Sequence, residues 1–197
     1  KWNNDSDSKY TIPTVTEGLK DYYISKTNYK ANEGFGTKDV ISPTGTGKDR
    51  FYIMALTDID GKIGVTNYYW YNEAYGKMND YSTATSEDFG TGKSNTTTMI
   101  SKWNAKAYGD QGIKDMWGQI QEKVNNGWFV PSKAEWAAFG GELGITSTTY
   151  GNYDLSFSCW SSSQIDASRA WYARFSHGYM GTSRVIFGYS VRLSATF

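Results

Sequence analysis

The chain has 197 residues, a formal net charge of zero and an aromatic content of 17%, with 16 Tyr, nine Phe and eight Trp. The neutral balance argues against a nucleic-acid-binding protein, which usually carries a basic excess, and no apolar run approaches the length that spans a bilayer. The only cysteine, Cys159, excludes an intramolecular disulfide. Because His177 is the only histidine, the sequence offers no Cys and His cluster for a metal, and we expect no metal or other cofactor.

The first part of the chain differs from the rest. Residues 1–20 are polar and lack sustained hydrophobic periodicity. We assign residues 1–49 to an N-terminal leader, linker or short appended segment, with one strand expected near Tyr10–Val15. Residues 50–197 are assigned to one folded domain. Gly, Ser and Thr between short aromatic runs predict that this domain is rich in strands and loops.

Two strands are predicted at Arg50–Leu56 and Lys62–Tyr71. Asp60-Gly61 between them is typical of a tight hairpin turn, which requires positive φ angles. Asp58 and Asp60 also resemble the start of a calcium loop. The third oxygen-bearing position and the final glutamate of such a loop are missing, so the hairpin is favoured.

Helices are predicted in the middle of the chain, and one contains Thr98–Lys106. A second lies within residues 110–127 and ends at Asn126-Gly127. Apolar residues recur there at helical spacing and form one stripe: Ile113, Met116, Trp117, Ile120 and Val124.

A third helix is predicted to begin at Ser132. Ser132 and Glu135 have the spacing of a capping box, which satisfies the free N–H groups at a helix start. Trp136 and Phe139 then face the core.

After Tyr150 the hydrophobic period becomes two, which predicts three antiparallel strands: Leu155–Ser163, Arg169–Ser176 and Arg184–Thr196. In the second strand, alternation places Trp171, Ala173 and Phe175 towards the core. Tyr172 and Arg174 are placed on an exposed or groove-facing side. These elements predict an α+β fold, with helices packed against a small antiparallel sheet and long loops.

The basic residues are unevenly distributed. Four of the five arginines lie after residue 160, whereas the last of the 15 lysines is Lys133. Surface segments normally mix the two, so this asymmetry indicates an unusual constraint on the C-terminal end.

Several short motifs follow one another in a recognisable order: Gly127–Pro131, Glu135-Trp136, Trp160–Ser163, Ala170–Phe175 and Val191–Leu193. This order resembles the C-type-lectin-fold superfamily that includes formylglycine-generating enzymes and their bacterial non-catalytic relatives. The resemblance covers Arg50–Phe197 and implies the C-type lectin fold, in which a small antiparallel sheet packs with two or three helices and long loops.

Two activities of that superfamily do not fit. Formylglycine-generating enzymes work with a cysteine pair, and this chain has one cysteine. The Glu-Pro-Asn or Gln-Pro-Asp triplet of calcium-dependent sugar-binding lectins is also missing. A general-base role for His177 would need a nucleophile and an orienting carboxylate, and the spacing reveals neither. We therefore expect no enzyme.

The C-terminal end is similar to the variable proteins of diversity-generating retroelements, in which adenines of selected codons are randomised. An AAC codon changed at its adenines can encode Arg, Tyr, His, Ser, Thr, Gly, Asp, Ile or Phe, among others, but not Lys, Glu, Gln, Met or Trp. The resemblance thus accounts for the arginine asymmetry and implies a variable surface within about residues 159–190. The implied ligand-binding residues are Asp166, Ser168, Arg169, Tyr172, Arg174, His177, Tyr179, Gly181, Thr182, Ser183, Arg184, Ile186, Phe187 and Gly188.

This resemblance implies a non-catalytic display protein that recognises a protein or glycan ligand on a cell surface. It would be located outside the cell, on a phage tail or a bacterial surface. Oligomers are compatible with it, and neither nucleic-acid binding nor membrane insertion is expected. A fixed-specificity, calcium-independent carbohydrate-binding domain and an adhesive surface domain stay open as alternatives.

Overall fold

The computed structural model describes the backbone of residues 9–11, 21–26, 30–31, 38–39, 51–72 and 84–196. Over these residues the fold is α+β, with small antiparallel sheets and short helices, as predicted. The strands are β1 (Lys9–Thr11), β2 (Asp21–Lys26), β3 (Lys30–Ala31), β4 (Lys38–Asp39), β5 (Phe51–Met54), β6 (Tyr68–Tyr69), β7 (Cys159–Asp166), β8 (Arg169–Arg174), β9 (Tyr179–Arg184), β10 (Gly188–Tyr189) and β11 (Ser194–Thr196). The helices are α1 (Gly92–Asn104), α2 (Met116–Gln119), α3 (Gln121–Asn125) and α4 (Lys133–Glu142).

A four-stranded antiparallel sheet, in the order β1–β2–β5–β11, joins the two ends of the chain. In β5, Ile53 pairs with Ile24 of β2 on one side and with Ala195 of β11 on the other. Ile53 and Met54 are fully buried. Strand β1 overlaps the start of the strand predicted near Tyr10–Val15, and residues 12–15 of that prediction lie outside the described residues. Strands β1 and β2 therefore connect part of the segment assigned to residues 1–49 to this sheet by backbone pairing.

The hairpin predicted across Asp60-Gly61 is wrong in its strands, although the turn is present. Gly61 has a φ of +77°, and its N–H donates to the Asp58 carbonyl over 2.9 Å. The flanking segments do not pair with each other, because β5 pairs with β2 and β11, whereas β6 pairs with β10. The Asp58 carboxylate is buried and accepts the N–H of Gly64 over 2.8 Å. The chain wraps around this carboxylate instead of continuing as a strand.

Helix α1 confirms the helix predicted to contain Thr98–Lys106, but it begins at Gly92 and ends at Asn104. The single helix predicted within residues 110–127 is wrong, because the structure divides it into α2 and α3. Most of the predicted stripe packs inward: Met116, Trp117 and Ile120 are buried and Val124 is half-buried. Ile113, by contrast, is 90% exposed.

Asp115 explains why the helix does not begin earlier. Its carboxylate is buried and accepts the Gly112 N–H (2.8 Å), the Asn72 N–H (3.1 Å) and the Trp103 indole N–H (3.0 Å). These bonds hold residues 112–115 in a loop that leaves Ile113 outside. Burial raises the pKa of Asp115, and the three hydrogen bonds oppose that rise.

The capping box at α4 is confirmed. The Ser132 hydroxyl accepts the Glu135 N–H, and the Glu135 carboxylate accepts the Ser132 N–H over 2.7 Å. The Ser132 hydroxyl also donates to the Asp88 carbonyl over 2.8 Å. Trp136 and Phe139 are buried as predicted.

Replacing Ser132 by alanine is expected to lower the free energy of unfolding by about 1–2 kcal/mol, the upper part of the range for N-caps. The reason is that the buried hydroxyl satisfies both the helix start and the Asp88 carbonyl. Urea denaturation measures the effect, with Ser147→Ala in an exposed turn as the matched control. Equal midpoints for the two variants would contradict the assigned role.

A second sheet, in the order β7–β8–β9, organises the C-terminal end. The prediction of one strand over Arg184–Thr196 is wrong, because the third strand is β9. The residues after it divide into β10 and β11, which pair with β6 and β5. The Val185 N–H donates to the Ser168 carbonyl, and the Val185 carbonyl accepts the N–H groups of Trp70 and Tyr71. Because the Val185 carbonyl pairs with Trp70 and Tyr71, the chain leaves the second sheet after Arg184 and continues beside residues 68–71.

Two apolar clusters lie on opposite faces of this second sheet. One contains Trp160 and Tyr172 together with Trp70 and Trp117. The other packs α4 against the sheet: Cys159, Ala173, Met180, Phe175, Trp136 and Phe139. The sheet is therefore sandwiched near β7 and β8 and reaches the surface at β9.

Candidate functional site

The register of β8 and β9 decides which candidate residues share a face, because paired residues in antiparallel strands project to the same side. One face, called the tyrosine face below, carries Tyr172, Arg174, Tyr179, Gly181 and Ser183. The opposite face, called the tryptophan face, carries Arg169, Trp171, Thr182 and Arg184.

The centre of the tyrosine face is an aromatic stack. The rings of Tyr172 and Tyr189 lie 4.5 Å apart and nearly parallel, at 9°. The indole of Trp160 meets both edge-on, at centroid distances of 6.3 Å from Tyr172 and 4.7 Å from Tyr189. The Tyr189 hydroxyl donates to the Ser183 hydroxyl over 3.1 Å. Burial raises the pKa of Tyr172 to about 12.

The predicted alternation along β8 is therefore only partly right. Ala173 and Phe175 are fully buried as predicted, but Trp171 is only half-buried and Tyr172 is 8% exposed. Tyr172 joins the core because Tyr189 of β10 covers its ring. That contact comes from a distant strand, which the period of β8 alone does not reveal.

Arg174 is the cationic group of the tyrosine face. Its guanidinium donates to the Tyr179 hydroxyl over 2.8 Å and lies 5.8 Å from the centre of that ring. Among the described residues, no carboxylate forms an ion pair with Arg174. The guanidinium is a permanent cation, and the hydrogen bond to Tyr179 raises the pKa of Arg174.

At the centre of the tryptophan face, the Trp171 side chain is held by contacts with Glu87 and Lys133. The Trp171 indole N–H donates to the Glu87 carboxylate over 2.7 Å. The Lys133 ammonium lies 3.9 Å from the centre of the Trp171 ring and 2.8 Å from Glu87. This arrangement occupies one side of the indole and anchors β8 to the segment before α1.

The candidate residues at the start of β8 form a local turn. The Asp166 carboxylate accepts the Ser168 N–H over 2.9 Å and the Arg169 guanidinium N–H over 2.6 Å. Slight burial would raise the pKa of Asp166, but these hydrogen bonds and the charge of Arg169 together lower it. The pair is a surface ion pair that fixes the turn.

The 14 predicted ligand-binding residues do not form one face. Five are exposed: Arg169, His177, Thr182, Arg184 and Phe187. Seven are half-buried: Asp166, Ser168, Arg174, Tyr179, Gly181, Ile186 and Gly188. Tyr172 and Ser183 are buried. The exposed and half-buried candidates lie near β9 and are divided between the tyrosine face and the tryptophan face.

Both candidate glycines, Gly181 and Gly188, are sterically crowded. A Cβ atom at Gly181 would lie 2.8 Å from Cζ of Tyr172, and one at Gly188 would lie 2.8 Å from Cβ of Asn67. Both distances are below van der Waals contact, so a side chain at either position requires a neighbour to move. The side chain at 172 therefore limits the side chain at 181.

A double-mutant cycle tests this coupling. Gly181→Ala is expected to lower the free energy of unfolding by about 1–3 kcal/mol in the presence of Tyr172, the usual cost of overpacking. In the Tyr172→Ala background the same change is expected to be nearly neutral, which gives a coupling energy of about 1–3 kcal/mol. Thr182→Ala, at an exposed neighbour, is the control. Equal effects of Gly181→Ala in both backgrounds would contradict the coupling.

Sequence reasoning missed Tyr189 and Glu87, which shape the two faces. Tyr189 belongs to the same lysine-free end as the candidates, and this is the only local signal that could have pointed to it. Nothing near Glu87 in the sequence indicates its bond to Trp171, since the two residues lie 84 positions apart.

The contacts of His177 and Cys159, the two remaining reactive side chains, are those of packing and local hydrogen bonding. His177 is exposed, with Nδ1 2.9 Å from the Ser176 hydroxyl and its ring edge-on to Tyr179. Cys159 is fully buried, and burial raises the pKa of its thiol. Among the described residues, no three His, Cys, Asp or Glu side chains come together as a metal site.

The sequence matches no protein-family model and no curated protein. In the described part of the chain, none of the helices has both the length and the apolar character needed to cross a bilayer.

Proposed function

We propose that this chain is a ligand-recognition display protein with a C-type-lectin-like fold, whose C-terminal surface is diversified by a retroelement. The observation that carries the proposal is the grouping of accessible Arg, His, Tyr, Thr and Phe side chains around β9, above a rigid aromatic core. Recognition would be non-catalytic and would take place outside the cell, on a phage tail or bacterial surface.

The residue types that adenine randomisation cannot produce support this proposal. Between residues 160 and 188, they occur only at Trp160, Gln164, Trp171 and Met180. Trp160, Gln164 and Met180 are buried, and Trp171 is half-buried and bonded to Glu87. Fixed residue types thus coincide with packed positions, while the exposed positions carry residues that such codons can encode.

The surface suits binding for two physical reasons. Tyr and Arg contribute much of the energy at protein interfaces, because they bury large areas and form directional bonds. The β8–β9 pair rests on Trp160 and α4, so a ligand would not have to order a mobile loop before contact. Arg174, Tyr179, His177 and Phe187 offer cationic, polar and apolar contacts within this fixed frame.

Burial narrows the set of residues expected to vary freely. Substitution at Tyr172, Ser183 or Gly188 changes packed contacts, and position 181 depends on position 172. We therefore expect the widest variation at Arg169, Arg174, His177, Tyr179, Thr182, Arg184, Ile186 and Phe187. Large residues at 181 are expected only beside small residues at 172.

Sequencing the C-terminal coding region across the source population tests the proposal. The expected result is variation concentrated at the exposed candidate positions, with Trp160, Trp171, Phe175 and Leu193 unchanged, and a genomic near-copy of the segment with adenine-containing codons at those positions. An invariant segment without a near-copy would overturn it. Glycan-array binding by an invariant chain would then favour a fixed carbohydrate-binding domain.

A further inference from the structure

In the described part of the chain, strand β9 is an outer strand of the second sheet. The sheet order is β7–β8–β9. The opposite edge, at β7, is covered by two backbone bonds, from the Trp160 backbone N–H to the Ser190 carbonyl and from the Ser162 backbone N–H to the Pro131 carbonyl. Among the described residues, no backbone group pairs with the outer side of β9 between Tyr179 and Ser183. A free strand edge is a template for pairing with another chain.

One hydrogen bond identifies the groups that point outward. The Val185 N–H donates to the Ser168 carbonyl, which makes Arg169 and Arg184 a non-hydrogen-bonded pair of the antiparallel ladder. Since the two pair types alternate, Tyr179, Gly181 and Ser183 bond inward to β8. The N–H and C=O groups of Met180 and Thr182 therefore face outward.

The edge is regular and lightly protected. The β8–β9 register continues over six pairs without a bulge, whereas the β7–β8 register is interrupted. Residues 179–184 contain neither proline nor lysine, two residue types that commonly protect such edges. Thr182 is exposed, whereas Met180 is 6% exposed because its side chain packs in the cluster with α4.

The charges around the edge select the kind of partner. Strands β8 and β9 contain Arg169, Arg174 and Arg184 and no acidic residue. Asp166 pairs with Arg169, whereas Arg174 has no carboxylate partner among the described residues and reaches over Tyr179 of the edge strand. A second copy of β9 would bring further positive charge to this edge, so charge disfavours self-pairing. An acidic segment is complementary.

We propose that the outer edge of β9 binds an extended acidic segment of a target protein by strand addition, with backbone bonds at Met180 and Thr182 and a carboxylate directed to Arg174. This inference rests on the proposed recognition function and names the ligand class. Backbone pairing would provide affinity that is independent of diversification, and variable side chains on the two faces would provide specificity.

The test uses the full chain as bait against a yeast-displayed library of random 12-residue peptides. Enriched peptides are expected to contain Asp or Glu within alternating β-branched sequences. In their complexes, amide hydrogen exchange at Met180 and Thr182 is expected to slow. No enrichment, enrichment without acidic residues, or protection confined to other segments would each overturn the proposal.

Matched variants separate the backbone contribution from the charge contribution. Thr182→Pro removes an outward N–H without removing a bond to β8, and is expected to weaken binding of the enriched peptides by roughly tenfold or more, whereas Thr182→Val keeps the N–H and the affinity. Arg174→Gln is expected to weaken binding by roughly tenfold, and Lys93→Gln, at an exposed site of α1, is expected to leave it unchanged.

Unchanged binding by Thr182→Pro would overturn strand addition, and unchanged binding by Arg174→Gln would overturn the carboxylate contact. If Thr182→Pro does not fold, the hydrogen-exchange result and Arg174→Gln decide.

Two further outcomes are informative. A dimer in sedimentation that Thr182→Pro dissociates would assign the edge to a second copy and overturn the acidic segment. Population sequencing is independent of the peptide-binding and sedimentation experiments. Variable positions without peptide binding would support the display function and overturn strand addition. Peptide binding by an invariant segment would support strand addition and overturn the display function.

Discussion

Asp58→Ala is expected to lower the free energy of unfolding by about 3–5 kcal/mol, the cost of leaving one member of a buried ion pair without its partner. The Asp58 carboxylate accepts the Arg192 guanidinium N–H over 3.0 Å, the Ser156 hydroxyl over 2.5 Å and the Gly64 N–H over 2.8 Å. The side chains of Asp58 and Arg192 are 1% and 0% exposed. Without this carboxylate, the buried guanidinium would have no counter-charge among the described residues.

Urea denaturation measures this effect, and two further variants define its origin. Asp58→Asn keeps the size and part of the hydrogen bonding, so its effect isolates the charge. Asp110→Ala removes an acid from an exposed pair with Lys106 and is expected to change stability by less than about 0.5 kcal/mol. A loss below 1 kcal/mol for Asp58→Ala would show that the ion pair does not hold the 58–64 loop to the C-terminal strands.

Trp160→Ala is expected to lower the free energy of unfolding by about 3–5 kcal/mol, the usual range for removing a fully buried aromatic side chain. Its indole N–H donates to the Tyr68 carbonyl over 2.8 Å, and its ring contacts both Tyr172 and Tyr189. Under the proposed recognition function, ligand binding is also expected to fall, because the tyrosine face would lose its support.

Trp160→Phe separates packing from hydrogen bonding. It keeps an aromatic ring but removes the indole donor to the Tyr68 carbonyl, for an expected loss of about 1–3 kcal/mol. Phe187→Ala, at a side chain 51% exposed, is the surface control and should change stability little. Denaturation midpoints and thermal unfolding compare the three variants. A stability of Trp160→Ala close to that of Phe187→Ala would contradict the supporting role.

Both predictions concern the attachment of the C-terminal strands to the segment before α1. The Trp70 indole N–H reinforces that attachment by donating to the Ser161 carbonyl over 2.7 Å. From α4, the Trp136 indole N–H donates to the Trp160 carbonyl over 3.1 Å. Together with the Trp160 bond to Tyr68, they hold β7 from outside its own sheet. The position of β7 is therefore fixed by contacts that do not involve β9. Substitutions in β9 are expected to leave these contacts intact.

What the sequence determined by itself was mostly local. The capping box at Ser132, the helix around Thr98, the strand character of residues 159–175 and the burial of Trp136, Phe139 and Phe175 all follow from short-range patterns. Such patterns work because capping and alternation involve groups only a few residues apart. The unequal use of Arg and Lys also needed only the sequence.

The tertiary structure decided everything that depends on contacts between distant segments. The Asp58–Arg192 pair replaced a hairpin by a loop around a buried carboxylate, and the covering ring of Tyr189 moved Tyr172 into the core. The β8–β9 register divided the candidate surface between two faces, and among the described residues it left the outer side of β9 without a backbone partner over residues 179–183. Periodicity within one strand cannot determine these features, because each depends on which distant strand or loop packs against it.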